Sequence, residues 1–519
     1  MKDRPEERAL APAIAPEPAG GARVVTGIAG LDVLLCGGLL RGGIYMVMGL
    51  PGTGKTTLGN QLCFARVAGG GRAAYVTLLA ESHARMLANL QPFRFFDHAP
   101  IGDALVYVGG YIPLRERGLP GLLDLLRRIV RDERLDLLVL DGFATAHAMA
   151  ETPTALKEFL AELQVLAAMT DCTTVLLANL TSDDARGPEH SMVDGLIELT
   201  LQRDRLYTLR EVEVLKFRGS DHLLGRHDLE ITLGGLVVRP RIEELASRYI
   251  APAGRSLRRL TSGVEGLDAM LGGGYLSGTT TLLLGFSGSG KTMLGAHFLD
   301  AGAARGERGL YFGFYESPER LLDGVARVGL GLREHATSGL VDFIWRPSFR
   351  YGLDTVADAL LENVRRRGVQ RLVIDGLDGL RQASPYPERT IRFVTALINT
   401  LRTLDVTTLV TEETQKLFGP EVEVRVEGMS ALVESIIFLE YLDVGPELRR
   451  LLSIIKQRAS GYETTLRELN ITAQGIELAA SSASASKILA HAFGSTRVRR
   501  ERPSGPRVRK SRARRPREK

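Results

Sequence analysis

Two long stretches of the chain share one alternation of hydrophobic and polar residues. In each stretch, short runs that are apolar throughout are separated by segments in which apolar residues recur at helical spacing. Wholly apolar runs predict strands buried on both faces, and helices between them predict a parallel sheet. Each stretch is therefore predicted to be α/β, with a mainly parallel sheet covered by helices on both faces. The predicted strands are 73–79, 135–141, 173–179, 309–314, 371–375 and 407–411, and the predicted helices include 119–132 and 355–368.

The two stretches are copies of one domain. Residues 27–58 align without gaps on residues 263–294, with 15 of 32 positions identical, where chance gives about two. Matching positions continue along the chain at offsets of 234 to 240 residues, and loops absorb shifts of this size. The predicted organisation is a flexible leader at 1–22, a first domain at 23–245, a linker at 246–256, a second domain at 257–475 and a low-complexity basic tail at 476–519.

Composition narrows the class of protein. A chain of 519 residues is too long for one hydrophobic core, and its 44% hydrophobic and 24% charged residues exclude wholesale disorder, collagen-like and coiled-coil architectures. No apolar run approaches the roughly 18 residues of a membrane span, and the first 22 residues lack an apolar signal core. We therefore expect a soluble, cytoplasmic protein with no membrane partner. Three widely spaced cysteines predict neither a disulfide framework nor a zinc site.

The positive charge of the chain is concentrated in its tail. Residues 497–519 contain twelve Lys or Arg and two Glu, a net charge of +10, so the +5 of the whole chain leaves 5 − 10 = −5 for the rest. Such a tail would neutralise phosphates of a nucleic acid without reading its sequence. It has no interleaved aromatic residues to stack on bases. A solvated tail is an equally good interpretation.

A phosphate-binding motif occurs in both copies. Residues 49–56 and 285–292 fit GxxxxGK[ST], each between an apolar run and a helical pattern. In this motif backbone N–H groups surround phosphate oxygens, the lysine bridges the β- and γ-phosphates, and the hydroxyl binds Mg²⁺. The sequence predicts ATP and Mg²⁺ as ligands, and two matches in register make a glycine-rich turn without a ligand the weaker alternative. The candidate nucleotide-binding residues are Gly49, Gly52, Thr53, Gly54, Lys55, Thr56, Thr57, Gly285, Gly288, Ser289, Gly290, Lys291, Thr292 and Met293.

An aspartate ends an apolar strand in each copy. Asp141 and Asp375 would lie at the carboxyl edge of a parallel sheet, beside the phosphate loop, where a carboxylate holds Mg²⁺ through water. The candidate metal ligands are therefore these two residues with Thr56 and Thr292. The alternative is a helix N-cap aspartate.

A pair of cations recurs as Lys216 with Arg218 and as Lys456 with Arg458. Residues two apart on a strand point to the same face, so each pair projects two positive charges together. An anionic partner would explain this arrangement. The alternative is a solvated edge strand.

These motifs together resemble the KaiC family within the RecA-like ATPases. The resemblance rests on the order G(I/V)xGLDxxLxGGxxxG, phosphate loop, strand with a following glutamate, strand-ending aspartate and K-x-R-(G/A)-S, and it covers nearly all of residues 24–475. It implies a RecA-like ATPase fold in each half, a homo-hexameric double ring with ATP at the subunit interfaces, and slow hydrolysis. It also implies that Lys216, Arg218, Lys456 and Arg458 reach the ATP of a neighbouring subunit.

The chain departs from the family where the catalytic base belongs. The family has two adjacent glutamates after the third strand, the first of which acts on the attacking water or hydroxyl, whereas each copy here keeps one, Glu81 and Glu316, aligned with the second position. Both are the candidate general bases, since a carboxylate one residue away would still reach a water. The alternative is a loop glutamate without a catalytic part. Tyr315 stands at the first position, and a phenol is a poor base at neutral pH.

The phosphorylation region departs as well. The family's adjacent serine and threonine acceptors fall on Ser430 and Ala431, so one hydroxyl is absent. The resemblance implies serine/threonine autokinase activity, but we expect at most slow modification at Ser430, with hydrolysis to water as the main reaction. A surface serine without a role is the alternative.

Three functions are consistent with the sequence. The first is a KaiC-like ATPase with serine/threonine autokinase activity that acts in signalling through a partner the sequence does not identify. The second is a RecA-like, nucleic-acid-dependent motor or recombination factor that uses the basic tail. The third is a nucleotide-sensing scaffold with little turnover, because each site keeps one glutamate in place of two.

Overall fold

Both halves form the predicted α/β fold. The computed structural model describes residues 22–79, 83–179, 188–204, 207–248, 258–347, 352–384, 386–414, 428–444, 447–458 and 461–498. Within these ranges each half builds a sheet of nine strands and a separate two-stranded ribbon. None of the described helices is long and apolar enough to cross a lipid bilayer.

The elements of the first half alternate as the hydrophobic pattern predicts. Its strands are β1 Arg23–Val24, β2 Leu39–Leu40, β3 Ile44–Gly49, β4 Ala73–Thr77, β5 Leu105–Gly109, β6 Leu137–Asp141, β7 Thr173–Ala178, β8 Gly195–Asp204, β9 Tyr207–Phe217, β10 Arg226–Thr232 and β11 Gly235–Arg239. Its helices are α1 Ala29–Leu34, α2 Lys55–Ala68, α3 His83–Leu90, α4 Tyr111–Asp132, α5 Phe143–Ala148, α6 Pro153–Thr170, α7 Pro188–Met192 and α8 Ile242–Ser247.

The second half repeats this order. Its strands are β12 Arg259–Leu260, β13 Tyr275–Leu276, β14 Thr280–Gly285, β15 Gly309–Gly313, β16 Val341–Trp345, β17 Arg371–Asp375, β18 Thr407–Glu413, β19 Ser435–Val444, β20 Glu447–Gln457, β21 Arg467–Thr472 and β22 Gly475–Leu478. Its helices are α9 Glu265–Met270, α10 Lys291–Ala303, α11 Pro318–Ala326, α12 Leu332–Thr337, α13 Leu353–Arg367, α14 Leu377–Gln382, a 3₁₀ turn Pro387–Arg389, α15 Thr390–Thr403, α16 Met429–Leu432 and α17 Ala483–Val498.

The strand that leads into the phosphate loop lies inside each sheet. The order is β11-β10-β9-β8-β3-β7-β6-β4-β5 in the first half and β22-β21-β20-β19-β14-β18-β17-β15-β16 in the second. The six strands from β8 to β5, and from β19 to β16, pair in parallel, and the remaining three are antiparallel. The carboxyl ends of the parallel strands therefore meet at one edge, where crevices in α/β sheets bind ligands.

Both faces of the first sheet are buried, which explains why its strands are apolar throughout. Val47 and Val175 point into a core shared with α1 and α2, whereas Met46 and Leu176 point into a second core shared with α4 and α6. In the second half, Leu283 packs with α9 and α10, and Leu282 on the opposite face is buried as well. Alternate side chains of one strand therefore serve two apolar layers.

Contacts divide the chain into two compact units. The first takes the described residues up to Gly254, from Arg346 to Arg367 and from Leu380 to Thr403, and the second takes those from Arg255 to Trp345, from Gly368 to Gly379 and from Leu404 onward. Within the second unit, part of the stretch predicted as a low-complexity tail forms α17. This helix packs on the sheet, since Ala485 and Ile488 contact Leu451. Residues 499–519 lie outside the described part of the chain.

The helix after each phosphate loop packs closely on the sheet through a glycine. A Cβ at Gly59 in α2 would lie 2.8 Å from Leu177 Cδ1 and 3.0 Å from Val139 Cγ1, and a Cβ at Gly295 in α10 would lie 2.9 Å from Val373 Cγ1. These neighbours are buried β-sheet side chains with little room to move. The helix can therefore lie this close to the sheet only because glycine has no side chain at this position.

We predict opposite effects of two glycine-to-alanine substitutions in the second unit. Gly295→Ala should lower the free energy of unfolding by about 1–3 kcal/mol, because the added methyl overpacks a site that cannot expand. Gly324→Ala in α11 should raise it by about 0.5–1 kcal/mol, because no atom lies within 4 Å of the added Cβ and alanine favours the helix. Chemical denaturation of both variants checks the pair, and equal effects would contradict the packing argument.

Candidate nucleotide-binding and catalytic site

Glycines shape both phosphate loops. Gly52 and Gly54 have φ angles of +85° and +109°, and Gly288 and Gly290 have +77° and +109°. L-residues with a side chain rarely adopt this left-handed region. Gly54 and Gly290 are also the N-cap residues of α2 and α10, so the loop turns directly into the first helical N–H groups. Those N–H groups are the donors that a phosphate accepts at a helix N-terminus.

The first glycine of each loop is required by close backbone contact. A Cβ at Gly49 would lie 2.2 Å from the carbonyl oxygen of Leu199, and a Cβ at Gly285 would lie 2.5 Å from that of Leu439. The next loop residues are anchored as well, since Thr53 Oγ1 donates to the Leu50 carbonyl over 2.9 Å. Ser289, the counterpart of Thr53, is fully buried. The loop is thereby held against the neighbouring strand of the sheet.

The two loop lysines lie folded over the loops. Lys55 Nζ donates to the carbonyls of Gly49 and Leu50 over 2.7 and 2.9 Å, and Lys291 Nζ donates to those of Gly285 and Phe286 over 2.9 Å each. Burial lowers the pKa of Lys55 to about 8, opposed by the charge of Asp141. An ammonium has three donors, and two hydrogen bonds leave one for a phosphate oxygen. The lysines fit the bound anion that the motif predicts.

The threonines that follow these lysines lie in the first turn of each helix. Thr56 and Thr292 direct their hydroxyls to the strand-ending aspartates: Thr56 Oγ1 lies 3.1 Å from Asp141 Oδ2, and Thr292 Oγ1 lies 2.9 Å from Asp375 Oδ2. A hydroxyl and a carboxylate are oxygen ligands of the kind Mg²⁺ prefers. The predicted metal ligands are thus brought together in both halves and fit the metal. Thr57 and Met293 come next on the helices and are partly buried.

A tyrosine on the adjacent strand donates a hydrogen bond to each of these aspartates. The Tyr75 hydroxyl donates to Asp141 Oδ2 over 2.6 Å, and the Tyr311 hydroxyl donates to Asp375 Oδ2. Both rings are buried, and burial together with the aspartate raises the pKa of each phenol, so both stay protonated donors. The sequence aligned these tyrosines at an offset of 236 without assigning them a role. A polar group repeated inside an apolar strand was the available signal.

The second aspartate has a further donor. Thr411 Oγ1 donates to Asp375 Oδ1 and accepts a hydrogen bond from the N–H of Gly376 over 2.8 Å. The residue paired with Asp141 in the first half is Leu177, which has no hydroxyl. Sequence reasoning missed this difference, because Thr411 stands in an otherwise apolar run that reads only as a strand.

The structure describes only one of the two predicted general bases. Glu81 lies outside the described residues, whereas Glu316 is partly buried and close enough that its charge contributes to raising the pKa of Tyr311. Tyr315 lies over Gly376, whose Cβ would be 2.5 Å from the ring. In the first half, Leu79 likewise lies over Gly142, which follows Asp141, whereas the family's first glutamate position falls on Ala80, outside the described residues. In the second half that position is therefore occupied by Tyr315, whose ring packs on the glycine after the aspartate.

The cationic pairs bind backbone carbonyls within the chain. Lys216 Nζ donates to the carbonyls of His190, Ser191 and Val193, and Arg218 also donates to that of Ser191 over 2.9 Å. In the second half, Lys456 Nζ donates to the carbonyls of Ser430 and Val433. Each lysine thus holds the short helix, α7 or α16, that precedes the last parallel strand. Arg458 and the Ser430 side chain are exposed.

These pairs lie at the edge of the sheet opposite the phosphate loop of the same half. Phe217, between Lys216 and Arg218, pairs with Gly195, which pairs with Tyr45 at the start of β3. Gly49 lies four positions after Tyr45, which at about 3.3 Å per residue is about 13 Å along the strand. The second half has the same register through Gln457, Ser435 and Thr281. Neither pair is next to the loop of its own half.

Comparison with known proteins gives one family. The family model described as "ATPase: KaiC" matches residues 24–243 and 260–483. The chain is 25% identical over 478 residues to "Circadian clock oscillator protein KaiC" of Picosynechococcus sp., covering 88% of this chain and 89% of the relative. It is 25% identical over 480 residues to "Circadian clock protein KaiC3" of Synechocystis sp., covering 88% and 91%. It is 24% identical over 470 residues to the KaiC oscillator protein of Thermosynechococcus vestitus, covering 88% and 89%.

We predict that Tyr75→Phe lowers the free energy of unfolding of the first unit by about 1–3 kcal/mol. The change leaves the buried carboxylate of Asp141 without its 2.6 Å donor while preserving the ring volume. Tyr111→Phe is the control, because that ring lies partly exposed beside Arg115 and should lose almost nothing. Denaturant unfolding measures both, and equal stabilities of the two variants would refute a structural role for the Tyr75 hydroxyl.

Proposed function

The chain belongs to the KaiC family of ATPases, and from this we propose that each half binds ATP with Mg²⁺ and hydrolyses it. The observation that carries the proposal is the repeated assembly of loop lysine, helix threonine, strand-ending aspartate and buried tyrosine. Two independent copies of this arrangement support two nucleotide sites per chain. Cytoplasmic signalling or regulation is the setting in which such an ATPase would act.

Different residues would bind the phosphates, hold the metal and orient the carboxylate at each site. The glycine loop and the first N–H groups of α2 or α10 would surround the phosphates, and Lys55 or Lys291 would donate its third N–H to a phosphate oxygen. Thr56 with Asp141, and Thr292 with Asp375, would hold Mg²⁺, which neutralises charge on the transferring phosphoryl group. Tyr75 and Tyr311 fix the orientation of the two carboxylates. Glu81 and Glu316 are the candidates that the family alignment offers for activating the attacking water.

We propose that the sites are completed by neighbouring copies in a homo-oligomeric ring, a hexameric double ring in the family. The support is the position of the cationic pairs at the edge opposite the loop of their own half. A head-to-tail contact brings opposite edges of two copies together and closes into a ring when the rotation allows. Lys216, Arg218, Lys456 and Arg458 would then face a neighbour's phosphates.

Serine autophosphorylation is a second, slower reaction that the same assembly would support. The observation that favours it is the hydrogen bond from Lys456 to the Ser430 carbonyl, which holds Ser430 beside the cationic pair proposed to meet a neighbour's ATP. Ala431 offers no second hydroxyl. Phosphopeptide mapping after incubation with γ-labelled ATP distinguishes this reaction from hydrolysis alone. Turnover that depends on single-stranded DNA would instead favour the nucleic-acid motor.

We predict that Lys55→Ala and Lys291→Ala each weaken ATP binding in one half by about 10- to 100-fold. Each change removes a charge-assisted hydrogen bond to phosphate, a contact that contributes about 1.5–3 kcal/mol. Equilibrium binding of a fluorescent ATP analogue should show half of the wild-type stoichiometry in each variant. Complete loss of binding in either single variant would contradict two separate sites, and unchanged stoichiometry in both would refute the proposed loops.

We predict that Arg218→Ala and Arg458→Ala lower turnover in their own half by about 10³-fold or more, as loss of an arginine supplied in trans does in related enzymes. Mixing Arg218→Ala with Lys55→Ala subunits should restore part of the activity, because some interfaces then combine an intact loop with an intact arginine. Mixing Arg458→Ala with Lys291→Ala tests the second half. The mass of the native assembly with ATP reports the ring, and no recovery at any mixing ratio would refute action in trans.

A further inference from the structure

Strand β18 ends between the two elements that define the second site. It pairs on one side with β14, which leads into the phosphate loop, and on the other with β17, which ends at Asp375. The last strand residue, Glu413, is paired with Gly285, the first glycine of the loop. The N–H of Thr414 donates to the Gly285 carbonyl over 3.2 Å, so the pairing continues to the edge. The position of Glu413 is therefore set by its pairing with the first glycine of the loop.

The side chain of Glu413 shares a face with a residue of the site. Thr411, two positions earlier, directs its hydroxyl to Asp375. Side chains two apart on a strand lie on the same face. Glu413 is one repeat further toward the carboxyl edge than Thr411, and it is exposed. Its carboxylate therefore lies at the open edge of the site, beyond the aspartate.

The loop lysine is bound to the residue that pairs with Glu413. Lys291 Nζ is hydrogen-bonded to the carbonyl of Gly285, the residue paired with Glu413. The strand register thus places Glu413 opposite the residue whose carbonyl holds the lysine that would contact the γ-phosphate.

The first half has no carboxylate at this position. Met48 pairs with Ala178 in β3 and β7, so the residue opposite Gly49 is Asn179. Asn179 is exposed, as Glu413 is. The two halves therefore have the same frame with a neutral amide in one and a carboxylate in the other. The two halves of one chain can therefore be compared as a site with this negative charge and a site without it.

We infer that Glu413 is a catalytic carboxylate of the second site, that it orients the attacking water and accepts its proton, and that the second half is consequently the faster ATPase. The inference rests on the proposed ATP hydrolysis. The water oxygen forms a bond to the γ-phosphorus while the bond from that phosphorus to the bridging oxygen breaks, and the bonding pair leaves with ADP. The proton of the water passes to the Glu413 carboxylate and then to solvent. An amide such as Asn179 cannot accept that proton.

The test compares single-site turnover in the full-length chain. In the Lys55→Ala background, which leaves the second site active, Glu413→Asn should lower kcat by about 10²-fold, as loss of a general base does, with KM changed less than threefold. Glu316→Gln in the same background tests the other carboxylate. Glu319→Asn, an exposed glutamate of α11, is the matched control and should leave kcat unchanged. In the Lys291→Ala background, Asn179→Glu should raise the turnover of the first half.

A binding measurement keeps this test separate from the proposed hydrolysis. A carboxylate near the γ-phosphate repels it, so Glu413→Asn should raise the ratio of affinities for a non-hydrolysable ATP analogue over ADP by about three- to tenfold. Wild-type protein that binds both nucleotides but does not hydrolyse ATP would refute the proposed hydrolysis, while the ratio would still report the position of Glu413. An unchanged ratio with unchanged kcat overturns the inference. A loss of kcat confined to Glu316→Gln also overturns it.

Discussion

The carboxylates of Asp141 and Asp375 connect the phosphate loop and its helix to the sheet in each half. Each accepts a hydrogen bond from a threonine in the first turn of the helix after the phosphate loop and another from a tyrosine on the neighbouring strand. A charged acceptor strengthens both bonds. Because the tyrosine is fixed by the core, the orientation of the carboxylate is set before any ligand arrives. Loop, helix and sheet therefore hold a common geometry, as pre-organised sites require.

This geometry is duplicated, and the two copies diverge around it. The loops, lysines, threonines, aspartates and tyrosines correspond, while the adjoining strand carries Leu177 and Asn179 in one half and Thr411 and Glu413 in the other. These positions surround the aspartate without altering the strand order or the loop. A duplicated frame allows electrostatics to differ between sites while packing is preserved. The two halves therefore share the residues proposed to bind nucleotide and differ in the residues beside them.

The directions of the strands explain why the proposed site needs a second copy of the chain. Parallel strands bring the loop and the aspartate to the carboxyl edge, whereas the antiparallel return of β9 and β20 brings the cationic pairs to the amino edge. No local rearrangement closes a separation of several strand residues. The lysines nevertheless hold the helices α7 and α16 through their carbonyls. Each pair is thus bound within its own chain while its arginine remains at an edge that a second copy would meet.

The sequence by itself determined the α/β class, the duplication and the residues of the loops, because these depend on local patterns: wholly apolar strands, glycines at fixed spacing and a lysine before a helix. It also aligned Asp141 with Asp375 and Tyr75 with Tyr311. Only the tertiary structure decided which residues meet. The tyrosine bonds, the Thr411 contact and the position of Glu413 all join residues far apart in the chain. Their contacts follow from strand order, and a one-dimensional pattern does not state which strands are neighbours.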